Sequence, residues 1–171
     1  KPRKVKYITA PPAPALQTRV EADEKSAGCV SCHTQTDSAS MHLSEGVVLG
    51  CVDCHGGDAS VFKPEGTSYH REPVHYPHHV EAHHAEDGEH HGDELGENHE
   101  YFAAMEKAHV IPTLPVTWDY PKSKNPHHSY TLLNTESPEY VRFVNPSDYR
   151  IAREACGACH LSIIQAAERH I

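Results

Sequence analysis

The sequence predicts a chain of irregular coil and short α-helices with little β-structure, organised around covalently attached groups instead of a large apolar core. Three observations carry this expectation. The pattern Cys-x-x-Cys-His occurs three times, beginning at Cys29, Cys51 and Cys156, and these copies use all six cysteines. Only 37% of the 171 residues are hydrophobic, with one Trp and three Phe, which is low for a globular chain. Thirteen prolines and ten glycines break the chain too often for long helices or a regular sheet.

Cys-x-x-Cys-His is the attachment pattern of haem c. The two thiols form thioethers to the porphyrin, and the histidine becomes an axial ligand of its iron. Other readings of the cysteines fit less well. The first two pairs are separated by 18 residues, as in a zinc ribbon, but the third pair has no fourth pair with which to build a four-thiolate site. A thioredoxin-like redox pair needs a strand–helix context that none of the copies has. A disulfide framework needs neither the fixed spacing nor the trailing histidine. Histidine makes up 17 of 171 residues, so its appearance after all three pairs by chance has a probability of about 0.001. The expected cofactors are three covalently bound haem c groups. Cys29 and Cys32, Cys51 and Cys54, and Cys156 and Cys159 hold the macrocycles, and His33, His55 and His160 bind the irons from one side.

Charge and polarity bound the partners. The formal charge is -9, which disfavours nucleic acid and anionic membranes and suits cationic partners or metal ions. The longest apolar stretches, such as Val47-Val48-Leu49, are far too short to insert in a membrane. No apolar segment follows Lys1 to Lys6, so no signal peptide is seen. Because bacteria attach haem c after export, the expectation is the mature form of an exported protein, extracellular or on the cell surface, with the periplasm as the alternative.

Along the chain, residues 1–20 read as an extended arm. Lys1, Arg3, Lys4 and Lys6 precede Ala10-Pro11-Pro12-Ala13-Pro14-Ala15, which favours polyproline II geometry and suits a strap lying on a neighbouring subunit. Residues 21–171 read as a single trihaem domain. Glu21 to Ala27 predicts a short helix ended by Gly28, and Ser38 and Ser40 can cap a turn before Met41-His42. Residues 63–100 form an insertion rich in histidine and acid. Nine histidines lie between His70 and His99, and His79 and His83 at i, i+4 suit an additional divalent metal such as zinc or copper. The bland reading of the same tract is a solvated loop. Tyr101, Met105 and Ala108 fit a short helix capped by Asn98 and ended by Ile111-Pro112. Tyr140 to Val144 predicts a short strand. Asn145-Pro146 predicts the start of a helix that delivers Cys156, and Leu161, Ile164 and Ala167 share one side of another.

Each low-spin haem needs a sixth ligand. Two methionines compete with the 14 histidines outside the motifs, so supply favours bis-histidine ligation. His42, between the first two motifs, is placed to serve a neighbouring haem. His109 sits at the end of a predicted helix. His170, ten residues after His160, points away from its own haem and is a candidate donor to another subunit. His75, His127 and His128 compete for this third place.

Several stretches carry a closer resemblance. They are Gly28 to Thr34, Ser40-Met41-His42, Gly50 to Gly57, Ala108-His109-Val110, Tyr130 to Asn134, and Val141 to Arg150 running into the third motif. Together they resemble the amino-terminal part of large multihaem c-type cytochromes of metal-reducing bacteria. The resemblance implies a haem chain wrapped by coil and short helices, outward electron transfer, and distal roles for His42 and His109. The tract from His70 to His99 and His170 depart from that pattern. The relatives continue into many more motifs, whereas this chain has three. The expectation is therefore either a fragment of a larger cytochrome or a small cytochrome that polymerises, as extracellular cytochrome filaments do. Partners would be other cytochromes and copies of itself, as a homopolymer. Alternatives are a soluble periplasmic electron shuttle and a multihaem reductase. A reductase needs an open iron position, often marked by a changed motif, and all three motifs here end in His. A non-enzymatic electron carrier is expected.

A chain this polar, with a mean hydropathy of -0.63, buries little apolar surface of its own. Haem-free protein is predicted to show no cooperative thermal transition by circular dichroism or calorimetry, and a sharp transition in haem-free material would contradict this.

Overall fold

The computed structural model describes residues 2, 4–6, 9–34, 42, 44–67, 94–114 and 130–170, with backbone alone for 94–98 and 130–132. Among the described residues there are only helices, turns and coil, and no strand, as expected for a chain with little β-structure. The helices are α1 (Arg19–Glu24), α2 (Ala27–Cys32), α3 (Cys51–His55), α4 (Glu94–Ala108), α5 (Pro138–Val144), α6 (Ala152–Ala155) and α7 (Gly157–Glu168), with a 3-10 segment at Tyr130–Thr135.

Local chemistry sets the helix boundaries. Thr18 accepts a hydrogen bond from Glu21 N (3.2 Å), and Glu21 accepts one from Thr18 N (2.7 Å). This reciprocal cap starts α1 at Arg19, two residues before the predicted start. The helix stops at Lys25, and Gly28 does not end it but lies inside α2. Gly28 is there for a different reason. A Cβ at this position would stand 2.2 Å from Val61 O and 2.5 Å from Ala59 O. Only glycine lets the first motif pack against the coil at 59–61, which also accepts a bond from Gly28 N (2.7 Å, at Ala59 O).

The strand expected at Tyr140 to Val144 is a helix, α5. Ser137 caps it by accepting from Tyr140 N at 3.2 Å, and Pro138 occupies the first turn, where a missing N–H costs nothing. Tyr140 and Val141 are buried in the main apolar cluster with Val110, Leu133 and Ile151, and Phe143 and Val144 pack against it. Tertiary packing thus overrides the β propensity of these residues. Asn145 terminates α5 instead of opening the next helix, which begins only at Ala152 after a run of turns. Asn98 likewise lies within α4, which starts at Glu94. Ser38, Ser40, Met41 and residues 68–93 and 115–129 lie outside the described residues.

The arm does not reach away. Ala13 is buried and its N–H donates to Glu154 O at 2.9 Å. Arg142 donates to Ala10 O (3.0 Å) and Pro11 O (2.9 Å). At residues 10–13 the polyproline stretch therefore lies against its own chain. The extended backbone exposes carbonyls that a guanidinium can collect.

The close approach at Gly28 has a direct consequence. Gly28→Ala should lower the stability of the haem-loaded protein by about 1–3 kcal/mol, because the added methyl meets backbone that cannot step aside. Chemical denaturation followed by absorbance checks this, and an unchanged midpoint would show that α2 does not pack on residues 59–61 as described.

Candidate haem sites

Each motif occupies one helical turn. α2 ends in Cys29 to Cys32, with His33 as the residue that closes it. α3 consists of the second motif alone. Cys156 joins α6 to α7, and His160 departs from helical geometry (φ -114°, ψ 18°), so the third motif forms its own turn ahead of Leu161. One helical turn carries i, i+3 and i+4 positions on one face. In each motif this sets two thiols and an imidazole toward the same side. All six thiols are free. Exposed apolar side chains flank them, Val30 inside the first motif and Leu161 after the third. Leu161 was expected on the same side as Ile164, yet Ile164 is buried and Leu161 is 43% exposed. Such surface suits an apolar macrocycle.

Two histidines outside the motifs face two motif histidines. The rings of His33 and His109 have centroids 6.1 Å apart, and those of His42 and His160 also 6.1 Å apart. A metal–imidazole bond is ~2 Å, and the ring centre lies ~1 Å behind the nitrogen, so two imidazoles sharing one metal ion place their centroids ~6 Å apart. An ordinary ring contact spans the same range, but each pair here joins one motif histidine to one outside the motifs. The residues present therefore fit bis-histidine haem at the first and third motifs.

His109 is held firmly. Its N–H donates to Met105 O at 3.0 Å, and its ring packs on Phe143 at 5.0 Å. The end of α4 docks on the turn after the second motif, where Asp58 N donates to Ala108 O at 2.8 Å. Gly57, at φ +81°, permits this, since a Cβ there would lie 2.7 Å from Ala108 O. Burial, together with the adjacent His33, lowers the His109 pKa to about 4. The ring is thereby kept neutral, the form that binds a metal. Lys4 and Lys6 of the arm line a cavity of about 130 Å³ beside it, with Glu106 and Lys107.

At the second motif, His55 Nδ1 donates to Phe143 O at 2.8 Å. A carbonyl only accepts, so the proton sits on Nδ1 and Nε2 is free to coordinate. Among the described residues no ring faces His55 at the separation seen in the other two pairs. His170 lies exposed beyond the end of α7, its N–H donating to Ala167 O at 3.0 Å, and is not brought to any of the three motif histidines. His75, His127, His128 and the metal-site pair His79 and His83 lie outside the described residues. Among the described residues no group of three or more His, Cys, Asp or Glu is arranged to hold a metal ion.

The three motifs are contiguous. Cys51 N donates to the Ser26 hydroxyl just ahead of the first motif at 3.0 Å, and α3 packs on α6, which leads into the third motif. The neighbouring Cys29 thiol pulls the Cys51 pKa down to about 5 and is itself raised. Cys54 is raised first by burial and then by Cys156. The second motif thus stands between the first and the third. Its buried Asp53 accepts from Lys25 Nζ (2.8 Å), Gln17 Nε2 (2.5 Å) and Gly50 N (2.8 Å). Burial pushes that carboxyl up, but these bonds outweigh it and hold the pKa below the usual range. Arg142 and Phe143 were not expected as parts of the site, because both act through contacts 88 residues away in sequence.

Comparison with protein families, curated proteins and solved structures finds no match to any of them.

The pairing makes a spectroscopic prediction. In haem-loaded protein, His109→Ala should convert one low-spin ferric haem to high spin in the electron paramagnetic resonance spectrum, and His42→Ala should convert a different one. Wild-type spectra from either variant would contradict these ligand assignments.

Proposed function

We propose that this chain is a trihaem c-type cytochrome that carries electrons through closely packed bis-histidine haems, as a subunit of an extracellular electron-conducting filament. The observation that carries the haem reading is the double juxtaposition of His33 with His109 and His42 with His160, each at 6.1 Å, above three Cys-x-x-Cys-His turns. Bound haem supplies a one-electron iron couple that the polypeptide itself lacks.

The chain's residues have definite tasks in this reading. Cys29 and Cys32, Cys51 and Cys54, and Cys156 and Cys159 anchor the macrocycles. His33, His55 and His160 would hold the three irons, with His109 and His42 as the second protein ligands of the first and third. The Phe143 carbonyl fixes the His55 tautomer. Contact of the second motif with both others would order the haems first, second, third, with the second motif holding the middle one. No open substrate pocket is needed for this work.

The filament part rests on His170. It is exposed, it follows the third motif closely, and the His55 site has no facing ring among the described residues. We assign His170 to an iron in an adjacent subunit, which would continue the haem chain from copy to copy. No helix among the described residues is long and apolar enough to cross a membrane.

A pyridine haemochrome assay should give three haems per chain, and negative-stain electron microscopy of the loaded protein should show uniform filaments. His170→Ala should abolish the filaments while keeping three haems. Fewer than three haems would overturn the cytochrome reading. Discrete particles in the wild type, or normal filaments in the variant, would overturn the filament reading and favour a soluble shuttle or a fragment of a larger cytochrome.

A further inference from the structure

Arg142 is 4% exposed, and all its hydrogen bonds go to backbone carbonyls. Nε donates to Cys54 O (3.2 Å), Nη1 to Ala10 O (3.0 Å), and Nη2 to Pro11 O (2.9 Å) and Asp53 O (2.7 Å). Among the described residues no carboxylate pairs with it. The Asp53 side chain is committed to Lys25 at 2.8 Å. A guanidinium stays charged at every accessible pH, and a buried charge without a counter-ion is costly. Carbonyl oxygens solvate the cation but do not cancel it. The charge sits on the second motif itself, since two of its four acceptors are the carbonyls of Asp53 and Cys54.

The next residue completes the arrangement. Phe143 O accepts from His55 Nδ1, and the Phe143 ring packs on His109. One dipeptide therefore touches the near-side ligand of the middle site and the far-side ligand of the first. The Arg142 charge is also felt at both Cys54 and Cys156, the thiols at the junction of the second and third motifs.

We propose that Arg142 is a potential-setting residue: its buried charge, held on the backbone of the second motif, raises the reduction potential of the middle haem. The inference rests on the trihaem reading. Reduction of a haem iron removes one positive charge, so a fixed cation in a dry setting favours the reduced form. The effect is greatest at the second motif, whose backbone Arg142 binds directly.

Spectroelectrochemical titration of haem-loaded protein tests this. Arg142→Gln should lower one of three midpoint potentials by at least 59 mV, a tenfold change in a one-electron reduction constant. Arg142→Lys keeps the charge with fewer hydrogen bonds, and should leave that potential near the wild-type value even where thermal stability falls. Should Arg142→Gln fail to load haem, Ala10→Glu places a carboxylate beside the guanidinium from the arm and should lower the same potential. Unchanged potentials in a loaded Gln or Glu variant would overturn the assignment, as would an equal fall in the Lys variant, which would mark a purely structural role. A wild type without three haems would instead remove the cytochrome reading itself.

Discussion

Four carbonyl oxygens around one guanidinium hold the centre of this protein together. Through Arg142, the polyproline arm, the second Cys-x-x-Cys-His turn and α5 become one unit. At residues 10–13 the arm is alanine and proline, and hydrogen bonds from Arg142 and to Glu154 O fix it. The second motif is a helix of five residues, too short to be stable alone. It persists because its carbonyls, its Asp53 side chain and its His55 ring are each held by a different segment. The bonds made by Lys25, Gln17 and Gly50 to Asp53 tie the same turn to α1 and to the end of the arm.

The other two motifs are arranged from this hub. The Gly56-Gly57 turn after the second motif receives the end of α4, and that contact sets His109 opposite His33. α5 runs into the turns that lead to α6 and the third motif, whose His160 faces His42. The main apolar cluster, from Val110 to Ile151, lies under α5 and is small. For a chain of low hydrophobicity this is consistent with haem as the missing packing material, since macrocycles would cover exposed side chains such as Val30 and Leu161.

Much of the candidate site was legible in the sequence, and the part that was not has a physical pattern. The thiols and near-side histidines follow from fixed local spacing. His42 and His109 were accessible because one lies between motifs and the other ends a helix before Ile111-Pro112. Which motif histidine each faces was not accessible, because it depends on how distant turns pack. The helix at α5 was misjudged because Tyr140 to Val144 has strand-like composition. Ser137-Pro138 was the overlooked signal, a cap followed by proline in the first turn. Nothing in the sequence around Arg142 announces that its charged side chain will be buried on carbonyls. His170 lies exposed just past α7, and nothing in its local sequence sets a partner for it.

The central claim is that two shared axial positions organise this chain. A high-resolution electron cryo-microscopy or crystal structure of the haem-loaded protein would test it most directly, by reading the two axial ligands at each iron. The account predicts one iron between His33 and His109 and another between His42 and His160. An iron bound by His33 or His160 with any other partner opposite would contradict it.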